Sequence, residues 1–252
     1  MSETNKTDRL RAYLVILATL GVIAFNWMAA AGYVNGVTPQ AISDKYPTVI
    51  TPAGYAFSIW SLIYVGLAAF SIYQVLPTTL SRFRSARSPY ILSCVLNCVW
   101  IYFWHHDLVA VCLFVIVLLW LSLLWTYKTL DPGDSTADTW LIKVPFGIYS
   151  GWVTAASLVN LVVALKSSNV EISDSALIIL GVALILIAAA VAVAARIMLR
   201  NFFFPLAVAW ALAAIGVKQS VQTAIAIAAA IGLIACLIAS LSFVLTLKGS
   251  HE

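Results

Sequence analysis

The chain has 252 residues, 63% of them hydrophobic and 10% charged, with a mean hydropathy of +1.00. A soluble domain is nearer half apolar and a quarter charged, so an ordinary water-soluble protein is excluded, as is a disordered or collagenous chain. At roughly 20 apolar residues per spanning helix the composition supplies about eight spans, and the formal charge of +4 reads as membrane orientation with no sign of nucleic acid.

The first apolar segment, about 12 to 33, follows Lys6, Arg9 and Arg11 and ends in Ala29-Ala30-Ala31-Gly32, a pattern close to a cleavable signal peptide. The run continues to Val34 and holds Asn26 and Trp27, so it is read as an uncleaved first helix. The loop from Val34 to Thr51, with Asn35-Gly36, Pro39 and Tyr46-Pro47, reads either as a lid over a cavity mouth or as a plain exposed linker. Further spans follow at about 53 to 76, 88 to 105, 108 to 127, 141 to 165, 175 to 195, 202 to 217 and 221 to 247. The predicted fold is thus all-α, a polytopic transmembrane bundle. Pro77 to Arg87, His105 to Asp107 and Asp131-Pro132-Gly133-Asp134 are the turns between them. Pro52 and Pro145 are placed at the openings of the second and fifth helices.

With eight spans and both termini inside, eleven of the fourteen Lys and Arg fall on the cytoplasmic side, leaving Lys45, Lys166 and Lys218 outside. The expected location is the bacterial cytoplasmic membrane. All ten acids, Asp8 among them, are assigned to termini or loops, which speaks against a carboxylate-driven pump or symporter and against an intramembrane acid/base pair. Lys218 reads as a snorkelling interfacial lysine, and His105-His106-Asp107 as a hydrated turn. Cys94, Cys98, Cys112 and Cys236 read as small buried hydrophobes. No catalytic or metal-ligating residue is assigned.

Chemistry is suggested by rings and amides. At 100° per residue Phe57, Trp60 and Tyr64 share a face of the second helix, Asn97, Trp100 and Trp104 a face of the third, and Tyr149, Trp152, Ala156 and Asn160 a face of the fifth. Such stripes serve either ordinary helix packing or a cavity walled by indoles, phenols and a few amides, which suits a flat apolar ligand such as a tetrapyrrole or a sterol. Gly147 and Gly151 allow close approach of a neighbouring helix or of a second protomer in a homodimer.

Three stretches carry a resemblance. Residues Thr51-Pro52-Ala53-Gly54-Tyr55-Ala56-Phe57-Ser58-Ile59-Trp60-Ser61-Leu62-Ile63-Tyr64, then Leu96-Asn97-Cys98-Val99-Trp100-Ile101-Tyr102-Phe103, then Pro145 to Asn160 with Trp152 at its centre, resemble in order the second-, third- and fifth-helix motifs of the TspO/MBR family, the tryptophan-rich sensory and translocator proteins. The resemblance covers about residues 12 to 165. It implies a five-helix core binding porphyrin, haem or sterol-like molecules beneath the loop that holds Asn35, Pro39, Tyr46 and Pro47, with Trp60, Tyr64, Asn97, Trp100, Trp152 and Asn160 lining the cavity. On this reading the chain divides into a cytoplasmic amino terminus (1–11), a TspO-like core (12–166), three additional helices (167–247) and a cytoplasmic tail (248–252). Its expected partners are membrane lipid and a hydrophobic small molecule, and no cofactor is required. The expected function is a sensor, receptor or carrier of a planar hydrophobic ligand. The alternatives are a transporter of a small apolar or amphipathic metabolite and a porphyrin-degrading enzyme whose tryptophans react.

Overall fold

The structure is a computed structural model that describes residues 3–168 and 171–248. Of the tail expected at 248–252, all but Lys248 lies outside the described residues. Among those residues every regular element is helical: α1 (Glu3–Ala30), α2 (Pro39–Lys45), a 3-10 turn (Gly54–Ser58), α3 (Ile59–Tyr73), α4 (Arg87–His105), α5 (Val109–Leu130), the single turn α6 (Thr136–Asp138), a π-helical turn (Thr139–Lys143), α7 (Val144–Ser167), α8 (Asp174–Met198), α9 (Phe203–Lys218) and α10 (Thr223–Lys248). Eight of these helices are long, and they coincide in order with the eight apolar segments. Six helical stretches are long and apolar enough to cross a membrane; α4 falls outside that set, and α9 is a shorter apolar helix of 16 residues. The protein is an integral membrane protein of helical-bundle type.

The helix ends follow local chemistry. Helix α1 closes on Gly32, whose positive φ of 79° lets Tyr33 N–H reach the Met28 carbonyl, so orphan carbonyls of the last turn are satisfied. Asp131 takes the left-handed position after α5 with φ 42°, at the breaker sequence expected to turn. Ser173 caps α8 by accepting from Ala176 N–H, with Asp174 in the first turn where the helix dipole favours a carboxylate.

Three expectations are corrected. Pro52 does not open the second helix: Thr51 to Ala53 stays non-helical, a 3-10 turn follows, and α3 begins only at Ile59, which moves Phe57 off the helical face of Trp60 and Tyr64. Asp8 is not in a solvated terminus, because α1 starts at Glu3 and Asp8 is buried within it. His105 is not hydrated either; its ring is fully buried, with Nδ1 at 2.7 Å from the Ile101 carbonyl, while His106 is exposed.

The chain divides into two compact units, one of residues 1–42 and 60–146, the other of 43–59 and 147–252. In the first, α4 packs on both α1 and α5. The α1–α4 seam carries polar rungs seven residues apart on each helix: Thr19 Oγ1 meets Tyr90 Oη at 2.6 Å, and Asn26 Nδ2 donates to Asn97 Oδ1 at 2.6 Å. Polar groups of this kind hold helices together where lipid supplies no hydrophobic drive. At one end Arg87, 1% exposed, donates to Gln74 Oε1 and to the Leu80 carbonyl and lies 3.7 Å from Asp8, which also pairs with Arg84. Nearby, Arg82 grips Asp138 through both terminal nitrogens, and that hydrogen bonding raises the Arg82 pKa against the opposing effect of burial. Phe70, Tyr90 and Phe146 form an edge-packed core, with Phe70 and Phe146 centroids 4.9 Å apart.

The second unit is built differently. Helices α8, α9 and α10 pack mutually, and the 3-10 turn lies on α9. Their contacts are made by small residues: Ala188, Ala189 and Ala192 of α8, Ala207, Ala211 and Ala214 of α9 and Ala228 and Ala229 of α10 are all buried. Asn201 Oδ1 accepts from Phe203 and Phe204 N–H and so caps the start of α9.

Candidate functional site

The rings singled out in the sequence fall into two groups. In the first unit Trp60 and Tyr64 are one helical turn apart on α3, so their rings stack at 5.6 Å and 17°. Trp100 and Trp104 repeat that spacing on α4, at 5.7 Å and 24°. Between the helices Trp60 and Trp100 meet in a tilted contact at 6.3 Å and 30°, which joins the two stacked pairs into a ladder Tyr64–Trp60–Trp100–Trp104. Trp100 and Trp104 are buried, whereas Trp60 and Tyr64 are half-buried and leave the ladder accessible at its α3 end. Asn97, on the same face of α4, is buried and accepts from Asn26, so this amide has a protein partner.

In the second unit Phe57 and Trp152 pack edge to face at 6.1 Å and 76°. Tyr149 is buried, and Asn160 Nδ2 donates to the carbonyl of Ala156 on its own helix at 2.9 Å. Of the two neighbours open to Gly147 and Gly151, the same chain takes the place: a Cβ on Gly147 would overlap the amide of Asn201, just before α9, and one on Gly151 the Phe204 carbonyl oxygen in α9.

The loop read as a lid is tied down along its length. Asn35, at φ 53°, donates to the His105 carbonyl at 2.7 Å, and the Pro39 carbonyl accepts from Trp104 Nε1 at 3.1 Å, so the loop's first part is fixed to α4 and its ladder. Part of it is not loop at all, since Pro39 opens the short helix α2. Tyr46 and Pro47 follow in the second unit, where Lys166 Nζ donates to the Pro47 carbonyl and Gln219 Nε2 to the Thr48 and Thr51 carbonyls, each at 3.1 Å. Ala53 N–H bonds the Ala214 carbonyl, and Trp210 Nε1 the Ala56 carbonyl. Helices α7 and α9 therefore strap this stretch in place.

Beside the strap the second unit has a solvent-open cavity of about 600 Å³ with exposed charged groups of both signs, Asp44, Lys166, Asp174 and Lys218, on its wall. Lys218, read as a snorkelling cation, stands 3.6 Å from Asp44. The sequence did not mark this cavity, because its charges sit at helix ends where they look like ordinary boundary residues. The one available signal was that Lys166 and Lys218 are two of the three cations placed outside.

The family model for TSPO-like protein matches residues 12–242. The chain belongs to the TSPO-like family. The match runs past the three motifs and takes in α8, α9 and most of α10, so the carboxy-terminal helices lie within the family stretch. No curated protein and no solved structure matches the chain. In this TSPO-like protein the second- and third-helix motifs are the segments that build the ring ladder, and the fifth-helix motif supplies Trp152 to the second ring group.

Proposed function

We propose that this TSPO-like protein binds a planar hydrophobic ligand of the tetrapyrrole class in the membrane and acts as its sensor, receptor or carrier. The observation that carries this reading is the Tyr64–Trp60–Trp100–Trp104 ladder, stacked within each pair and half-open at Trp60 and Tyr64. Aromatic faces held parallel suit stacking by a flat conjugated ring better than by the puckered, edge-poor skeleton of a sterol. Asn35 and Pro39, fixed to α4 beside the ladder, would bound the approach to it. Membership of the TSPO-like family supports a ligand-binding or transport role. The excess of basic residues on one side supports cytoplasmic termini, in a bacterial inner membrane.

The test is a titration of detergent-purified protein with protoporphyrin IX, followed by tryptophan quenching. Saturable quenching is expected, weakened about tenfold or more in Trp60→Phe and Trp100→Phe. Trp125→Phe, at an exposed position of α5, is expected to leave the affinity unchanged. Quenching no greater than that of free tryptophan in empty detergent would overturn the reading.

A further inference from the structure

The cavity beside the strap has no member of either ring group in its wall, and its volume of about 600 Å³ is in the usual range for small-molecule sites, about 300–1,000 Å³. Its wall is mixed: Val49, Val162 and Leu177 are apolar, and Lys166 at the end of α7 and Asp174 at the start of α8 bring opposite charges. These two charges do not neutralise each other. Lys166 uses one ammonium hydrogen on the Pro47 carbonyl, and Asp174 has no side-chain partner among the described residues. Each charge suits the dipole of its own helix end, yet the dipoles give no reason for both to face one concave surface.

Complementarity narrows the ligand. An apolar molecule would cover an ammonium and a carboxylate without replacing their water, which is costly. A simple anion would meet Asp174 and a simple cation Lys166, each with a like charge opposed. Asp44 and Lys218, the other two charges of the wall, already pair with each other at 3.6 Å, and a molecule with both charges and an apolar part matches Asp174, Lys166 and the apolar side chains.

We infer that this cavity binds a zwitterionic amphiphile, its ammonium against Asp174, its carboxylate or phosphate against Lys166, and its apolar part on Val49, Val162 and Leu177. Such a group is found in a free aliphatic amino acid and in the phosphoethanolamine head of a lipid, and the two sources separate experimentally. The full chain in detergent is titrated calorimetrically with L-leucine and, separately, with dihexanoylphosphatidylethanolamine below its micellar concentration; n-hexylamine and hexanoate serve as singly charged comparisons. Saturable binding of a zwitterion is expected, about tenfold or more tighter than either comparison, and weakened by a similar factor in Lys166→Gln and in Asp174→Asn. Asp174→Asn breaks no side-chain bond, so a loss there is not a loss of fold, and Leu177→Trp is expected to abolish binding by filling the space. A response to leucine assigns the site to a soluble ligand, and a response to the phospholipid alone assigns it to a lipid head. The inference is overturned if neither zwitterion saturates, if hexylamine or hexanoate binds as tightly, or if both charge variants bind like the parent. Trp60→Phe is expected to leave this binding untouched, which separates it from the ring ladder.

Discussion

The two compact units solve the same problem by different means. Helices in lipid gain nothing from expelling apolar surface toward one another, so they must associate through close packing or polar contacts. The first unit uses polar rungs and rings: Thr19 with Tyr90, Asn26 with Asn97, the buried Asp8 and Arg87, and the Phe70 cluster. The second uses smallness: Gly151 admits the Phe204 backbone, Gly147 and Gly181 admit the side chains of Asn201, Val49 and Ile225, and a run of buried alanines lies on α8, α9 and α10. Small residues close the space between α8, α9 and α10, and the strap cavity lies at the ends of those helices.

The sharpest way to break the contrast is to put bulk where the second unit is tightest. Gly151→Leu drives a side chain into the Phe204 backbone, which cannot retreat as a flexible side chain would. Its cost is expected to exceed the roughly 1–3 kcal/mol usual for overpacking, read as loss of a monodisperse peak and of the thermal transition. In the first unit the largest effect is expected from charge. Asp8→Leu strands the buried Arg87 guanidinium, a loss of about 3–5 kcal/mol measurable by denaturant unfolding in mixed micelles. The double variant Asp8→Leu with Arg87→Met is expected to recover part of it.

A smaller effect is expected at the amide rung. Asn26→Leu removes one hydrogen bond between α1 and α4 and costs about 0.6 kcal/mol, as interhelical bonds in lipid commonly do; a loss several times larger would make Asn97 dependent on that single partner. The smallest change is expected at Gly21, around which a Cβ meets nothing within 4 Å. Gly21→Ala should leave the unfolding transition in place or raise it slightly, since alanine favours a helix over glycine by about 1 kcal/mol. Opposite signs at Gly151 and Gly21 would confirm that packing, and not glycine content, distinguishes the units.

Much of this was legible in the sequence. The eight long helices and the turn at Asp131 to Asp134 follow from hydropathy runs and breakers, which act over a few residues. The i, i+4 stacking within α3 and within α4 follows equally from helical pitch. The start of α3 was not legible, because the 3-10 turn at Gly54 to Ser58 rests on α9 and on the Trp210 bond to Ala56, more than 150 residues away. Asp8 was misplaced for a related reason: hydropathy assigns a charged residue to water unless a distant partner is known, and Arg84 and Arg87 are those partners. His105 was misplaced because its burial depends on packing, its ring bonding a carbonyl one turn back in its own helix.

The sequence by itself therefore determined the membrane class, the order of the helices, and the faces on which rings and amides sit, since all three depend on composition and on the 3.6-residue period. Only the tertiary structure decided which faces meet. That Trp60 meets Trp100, that α9 packs on Gly151, and that Lys166 and Lys218 share a cavity wall depend on contacts between segments far apart in the chain. A helix's periodicity fixes where a side chain points, and only packing fixes what stands opposite.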